Sequence, residues 1–391
     1  MNSEMMNLPA YTPAYVFDEA AFAARAQQVK EAFGEKTHLC FSIKANPFLL
    51  SCLPEVFDKI EVCSPGELTI CERTGADMEK VIYSGVNKGQ ADVQRAINNG
   101  VGTFTAESPL HLELINAAAL KAGRVAPLLL RLTAGSQFGM DAAVVKDIIA
   151  RREEYPGVCI VGIHFFSGTM KKKAVLIERE LKKVLAFMDS VKEELGFSLE
   201  RLEYGTGLAV DYFSPDADAL EAERLESVAP FIREAAERYH LTVEMGRFFA
   251  APCGVLTTKV MDVKTNEEIN YAILDTGMHQ VRYDGQIQGM QTPVIRHIPA
   301  DEAAKEDKKP WTLCGSLCTT ADVLARGVEL DHLSIGDTLV FTRVGAYSCM
   351  EGMSIFLSRD LPAIYVRQKD GTLTQLRAPI AADPFNTPGM F

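Results

Sequence analysis

Residues 59–84 read KIEVCSPGELTICERTGADMEKVIYS. A short apolar run, Lys59–Cys63, has the length and composition of a strand. Gly66–Arg73 then has helical character, and Lys80–Ser84 is again strand-like. The same unit repeats outward in both directions. Candidate strands fall at His38–Ile43, Lys59–Cys63, Lys80–Ser84, Gly102–Thr105, Leu128–Leu132, Cys159–His164, Arg201–Tyr204 and Leu241–Glu244. Helical stretches such as Gln90–Asn98, Leu110–Lys121, Ala174–Leu195 and Ala217–Tyr239 lie between them. Eight strands alternating with seven helices predict a parallel sheet, and eight such units predict a TIM (β/α)8 barrel over residues 36–254. Upstream, Phe22, Ala26, Val29 and Phe33 sit at helical spacing, with Gly34 as a stop.

After Gly254 the texture changes. Val255–Lys264, Asn270–Asp275, Thr338–Thr342 and Pro362–Val366 are rich in Val, Ile, Thr and Tyr, and the charged run Asp301–Pro310 reads as an exposed loop. Residues 1–35 and 255–391 are therefore expected to form a mostly β domain, with a Tyr11–Phe17 strand joining the C-terminal part.

The 391 residues suit two domains at about 150 residues each. Lys+Arg 40 against Asp+Glu 52 leave a formal charge of −12, which repels a phosphate backbone and disfavours nucleic-acid binding. No apolar run approaches the ~20 residues of a membrane span. The start, MNSEMMNLPAYTPAYVFD, has no basic and apolar signal pattern. Nine cysteines, odd in number and without C-x-x-C, read as free thiols, so a cytoplasmic protein is expected.

A TIM barrel builds its active site from the residues at and just beyond the C-terminal end of each strand. Strand one ends in Lys44-Ala45-Asn46-Pro47, strand five carries Arg131, and strand six leads to His164-Phe165-Phe166-Ser167-Gly168-Thr169. Strands seven and eight end in Gly205-Thr206-Gly207 and Glu244-Met245-Gly246-Arg247. Taken alone, Lys44 is a rim lysine and Glu244 a partner of Arg247. Together with two glycine turns that suit a phosphate, they point to a lysine that condenses with an aldehyde and a carboxylate that keeps a pyridine nitrogen protonated. That combination fits pyridoxal 5′-phosphate. No metal-ligand spacing is seen: His38, His111, His240, His297 and His332 read as structural or surface groups. Lys171-Lys172-Lys173 reads as a solvated helix start.

The chain resembles the alanine-racemase-fold pyridoxal phosphate enzymes, in the ornithine/diaminopimelate decarboxylase branch. The resemblance runs through Phe41–Pro47, Glu61–Leu68, Gly162-Ile163-His164, Gly205-Thr206-Gly207, Glu244–Arg247, Cys318 and Gly345-Ala346-Tyr347. It implies Lys44 and Cys318 as catalytic residues, with Cys318 reaching in from a partner subunit of a homodimer to protonate Cα. It also implies cofactor contacts from Glu61, Arg131, His164, Phe166, Thr169, Gly205, Thr206, Gly207, Glu244, Gly246, Arg247 and Tyr347. Cys318, Thr319 and Asp322 are then expected at the substrate.

Departures from the family pattern bear on the substrate. Phe166 stands where most relatives place a histidine over the ring; it can stack there but cannot hydrogen-bond. Thr319 follows the cysteine where diaminopimelate and ornithine enzymes carry a glutamate or aspartate for the distal ammonium. Leaving a buried ammonium unpaired there would cost ~3 kcal/mol. The run Cys318–Leu324, with Gln137–Met140 and Asp275–His279, is more similar to the subgroup that decarboxylates modified amino acids in antibiotic and siderophore assembly, including a glutamyl group on a carrier protein. The expected reaction is loss of an α-carboxylate from a modified or tethered amino acid. The alternatives are a diaminopimelate or other basic amino-acid decarboxylase and, against Glu244, a racemase, which would pair the ring nitrogen with arginine.

Overall fold

The computed structural model describes residues 7–301 and 308–389. In chain order the strands are β1 (Ala14–Asp18), β2 (His38–Ser42), β3 (Lys59–Val62), β4 (Val81–Tyr83), β5 (Thr103–Ala106), β6 (Ala126–Arg131), β7 (Val158–Phe166), β8 (Arg201–Gly205) and β9 (His240–Met245). There follow β10 (Gly254–Asn266), β11 (Ile269–Leu274), β12 (Ile295–Ile298), β13 (Lys309–Cys314), β14 (Val323–Leu330), β15 (Thr338–Thr342), β16 (Ala363–Arg367) and β17 (Leu373–Arg377). The principal helices are α1 (Glu19–Phe33), α2 (Pro65–Thr74), α3 (Gln90–Asn98), α4 (Pro109–Lys121), α5 (Ala142–Ala150), α6 (Ala174–Leu195) and α7 (Ala217–Arg238).

Strands β2 to β9 close into a parallel barrel, with β2 pairing β9 through Leu39↔Val243 and Cys40↔Glu244. All eight strands expected from the sequence are present. The link from β2 to β3 differs, since two short 3₁₀ turns, Ile43–Ala45 and Pro47–Cys52, replace an α-helix. The second turn is capped like an α-helix start, with Asn46 extended and accepting from the Phe48 N–H and Pro47 at the first position, but its residues keep the 3₁₀ form. Elsewhere the local chemistry suits helix starts. Ser64 and Ser108 accept from the backbone N–H of Glu67 and His111, each followed by proline at the first helical position.

A second compact unit comprises the described residues up to Phe22, Asp211–Ala217 and those from Phe249 onward. Its sheet runs β14-β13-β11-β10-β1-β16-β17, with β15 pairing β10 and β12. β1 lies antiparallel to β10 and parallel to β16, so the N-terminal strand joins the C-terminal sheet. The expected Asp301–Pro310 loop is shortened at its end, where Lys309 and Pro310 open β13; residues 302–307 lie outside the described residues. Among the described residues no helix is long and apolar enough to cross a membrane.

Candidate active site

Strand side chains alternate between the two faces of a sheet, and in this barrel the alternation separates two chemistries. Outward positions such as Phe41, Val62, Phe104, Leu130, Phe165, Leu202 and Val243 are apolar and buried. At or just past the C-terminal end of each strand, a buried polar residue takes the other side of the alternation: Ser42, Glu61, Ser84 (just after β4), Thr105, Arg131, His164, Glu203 and Glu244. The registers Ser42↔Glu61, Arg131↔His164 and His164↔Glu203 place these residues side by side. Ser84 and Thr105 join hydroxyls at 3.2 Å.

Lys44, in the turn after β2, enters this ring. Its Nζ lies 2.8 Å from Glu61 Oε2, 3.5 Å from Glu244 Oε1 and 3.5 Å from Cys63 Sγ. Ser42 Oγ donates to Glu244 Oε1 at 3.3 Å, and His164 Nε2 lies 3.0 Å from Glu244 Oε2. Burial works against the Lys44 ammonium, yet Glu61, Cys63 and Glu244 outweigh it and raise its pKa well above the usual lysine range. Burial likewise opposes ionisation of Glu244, but the Lys44 charge and then the His164 hydrogen bond hold it well below the ordinary carboxylate range. Burial and Glu61 push the Cys63 thiol up, and it donates to Glu61 Oε1 at 3.0 Å. His164, Glu203 and Glu244 each present a ligand atom within 4.8 Å of the others, but a divalent cation there would face the Lys44 ammonium.

Arg131 occupies a second buried cluster. It pairs with Glu107 and lies 4.9 Å from the centre of the Phe138 ring; Glu107 Oε2 accepts from the Gly139 N–H at 3.0 Å. Lys88, buried beside it, is brought down to about 8 by burial, against the pull of Glu107.

At and just past the end of β8, Gly205 and Gly207 stand where neighbouring atoms leave no space for a side chain. A Cβ at Gly205 would come within 2.5 Å of the Phe166 ring, and Gly207, at φ +60, would collide with the Gly168 carbonyl. Thr206 is buried and accepts from the Leu208 N–H, Thr169 is exposed, and Gly246 packs on Ala45. Arg247 follows Gly246 in the same compact unit. The lysine run is not a uniformly solvated helix start: Lys171 is buried and pairs with Glu180 at 2.7 Å. The cause is backbone pairing of its loop with the segment after β8, through Lys171 N–H to the Gly207 carbonyl and Ala209 N–H back to Lys171. Glu180 also accepts from Tyr204 Oη at 2.7 Å.

The other unit holds the remaining candidates. Cys318 and Thr319 are exposed in the loop between β13 and β14. Asp322 is buried there, its two oxygens accepting from the N–H groups of Met278 (2.6 Å) and Leu317 (2.8 Å). Those bonds staple the Cys318 loop to the loop after β11. Tyr347 sits at φ +66, a conformation a bulky residue rarely adopts.

Residues 19–251 match the family described as pyridoxal-dependent decarboxylase, pyridoxal binding domain. The chain belongs to the pyridoxal-dependent decarboxylases. A diaminopimelate decarboxylase of Pseudomonas fluorescens is 30% identical over 86% of this chain and 83% of its own. An L-glutamyl-[BtrI acyl-carrier protein] decarboxylase of Niallia circulans is 26% identical over 95% of this chain and 92% of its own. Among solved structures, a diaminopimelate decarboxylase of M. jannaschii in complex with L-lysine shares the fold at a TM-score of 0.82 and 23% identity, covering 97% of this chain and 92% of that one. The protein is thus a pyridoxal phosphate-dependent amino-acid decarboxylase, and the barrel suits that cofactor. It offers the Lys44 amine among buried carboxylates, with the ionised Glu244 3.5 Å from it.

Ser42, Cys63, Lys88, Glu107 and Glu203 are functional candidates that the sequence does not single out. A signal is present for some of them: in β2, β3 and β8 the polar residues fall on alternate positions among apolar ones.

Proposed function

We propose that this decarboxylase acts on an amino acid whose far end carries no free ammonium, such as one closed by an amide, a thioester or a carboxylate, including one tethered to a carrier protein. The Cys318 loop carries this reading. The residue after the cysteine is the neutral, exposed Thr319, and the next acid, Asp322, is buried with both oxygens engaged by backbone amides. The Niallia circulans relative, matched over 95% of this chain, supports the same class. The Pseudomonas fluorescens relative favours a second reading, diaminopimelate itself.

In this scheme Lys44 would hold the cofactor's aldehyde carbon and Glu244 its ring nitrogen. The backbone of Gly205–Gly207, with Thr169 and Arg247, would hold its phosphate, a part that the resemblance also gives to Tyr347. When bound, the cofactor supplies an electron sink for the pair left at Cα as the carboxylate departs. Glu244 serves by staying ionised in a water-poor site, where a fixed charge acts more strongly than in solvent. The Lys44 amine would carry protons near Cα. Cys318 returns the proton to Cα, acting in the barrel of a second copy, so the working enzyme is a homodimer with shared sites.

The test is CO₂ release from a panel: ornithine, lysine and meso-diaminopimelate against amide, thioester and carrier-bound glutamyl substrates. Turnover confined to the second group supports the proposal. Efficient turnover of meso-diaminopimelate replaces it with the second reading.

A further inference from the structure

Three buried carboxylates, Glu61, Glu203 and Glu244, share the barrel interior with the Lys44 ammonium. Glu61 and Glu244 both face that ammonium. Glu203 makes no ion pair among the described residues, is 2% exposed, and its Oε1 is enclosed without a hydrogen-bond partner. Its place is fixed by register: it lies beside His164 on β7, two residues before the Gly205 that pairs with Glu244 on β9. Residues two apart on a strand share a face, so Glu203 and Glu244 project into the same interior.

A third ionised carboxylate here would be desolvated, unpaired and next to two others of its own sign. We propose that Glu203 is a positioning residue for Glu244: it remains the neutral acid and donates its proton to the Glu244 carboxylate, so that the pair carries a single negative charge. Burial first, then the charges of Glu244 and Glu61, push Glu203 well above the carboxylate range, in keeping with this. The arrangement resembles other sites where two carboxyl groups share one proton because both cannot ionise at close range. Glu244 is then restrained from three sides, by the Glu203 acid, the Ser42 hydroxyl and His164. The catalytic consequence rests on the reading of Glu244 given above; the protonation of Glu203 does not.

Infrared difference spectroscopy of the cofactor-free protein tests this directly. At neutral pH the wild type should show the carbonyl stretch of a protonated carboxylic acid, sensitive to D₂O, and Glu203→Gln should lack it. Kinetics of the holoenzyme then separate positioning from mere packing. Glu203→Leu, which cannot donate, should lower kcat about tenfold to a hundredfold with little change in KM, the scale of a lost hydrogen bond to a charge. Glu203→Gln, neutral and still a donor, should recover kcat to within about threefold of wild type. Absence of the acid band at neutral pH overturns the proposal, as does a Gln variant as impaired as the Leu variant. Should Glu203→Leu fail to fold, the spectrum of Glu203→Gln still decides. If the band is present but no amino acid is decarboxylated, the acid pair stands and the assigned reaction fails.

Discussion

In the barrel, eight strands hold a ring of polar side chains that strand geometry turns inward and solvent barely reaches. In the loop between β13 and β14, one buried carboxylate, Asp322, holds the backbone while Cys318, Thr319 and Thr320 remain exposed. The first region fixes charges by desolvation and mutual pairing, so any change to one group shifts the others. The second fixes a short piece of backbone and leaves its side chains free to vary. On the proposed reading, the decarboxylation chemistry sits in the first region and substrate choice in the second.

That contrast predicts the largest effect at Lys44. Lys44→Ala should reduce decarboxylation by at least ~10⁴-fold, the upper end of what one acid–base group supplies, before its covalent role is counted. Borohydride treatment of wild type with cofactor should label one peptide, the one containing Lys44; labelling of another lysine would remove Lys44 from the site. Next comes the second barrel cluster. Arg131 and Glu107 are buried partners, so Glu107→Ala strands a desolvated guanidinium and should destabilise the protein by ~3–5 kcal/mol in denaturant titrations. A loss under ~1 kcal/mol, the scale of a solvent-exposed pair, would show that water reaches this cluster.

Effects in the loop should be smaller and should fall on specificity. Thr319→Glu places a carboxylate after the cysteine and should raise kcat/KM for a diamino acid about tenfold, while lowering it for the native substrate class. Asp322→Asn keeps one acceptor of two and should cost ~1–3 kcal/mol of stability, with kcat falling on every substrate alike. Should Thr319→Glu lower turnover of all substrates equally, the loop is not where the substrate's far end is read. Lys44→Ala mixed with Cys318→Ala should regain activity if sites are shared between subunits.

The same contrast explains what can be read from the chain. The barrel is legible because alternation of strand and helix is set by local patterns, and all eight strands fall where apolar runs predict them. Within the strands, motifs mark the inward acids Glu61 and Glu244. No motif marks Glu203, only the polar–apolar alternation of β8 around it; its burial depends on β7 and β9, which flank it in the barrel. Lys171 departs from its sequence reading for the same reason, since its burial comes from a loop pairing with residues 207–209 and from Glu180. In the β unit, β12, β13, β14 and β17 carry no clear sequence signal because they are short or irregular. The parallel pairing of β13 with β11 is non-consecutive, and its pairing with β14 is bulged.

The smallest effect expected is a pH dependence of stability carried by two histidines, one in each compact unit. His111 is lowered to about 4 by burial and then by Lys88; His279 is lowered to about 4 by burial and then by Arg359. Both therefore bind a proton more weakly when folded than at the ordinary value near 6.5. At these two groups the unfolded chain takes up more protons than the folded one between those values, so their contribution to stability falls as pH drops from about 6.5 towards 4. Glu203, held protonated in the fold, contributes in the opposite sense. Carboxylates whose pKa is lowered in the folded state, such as Glu244 and Asp337, act in the same direction as the histidines, but only once pH falls below the ordinary carboxylate range. The window thus separates the two causes. His111→Gln and His279→Gln should each flatten the dependence of denaturation midpoint on pH between about 6.5 and 4.5 and leave the steeper loss below it. If the slope in the upper window is unchanged in both variants, neither imidazole is held neutral by burial in its unit.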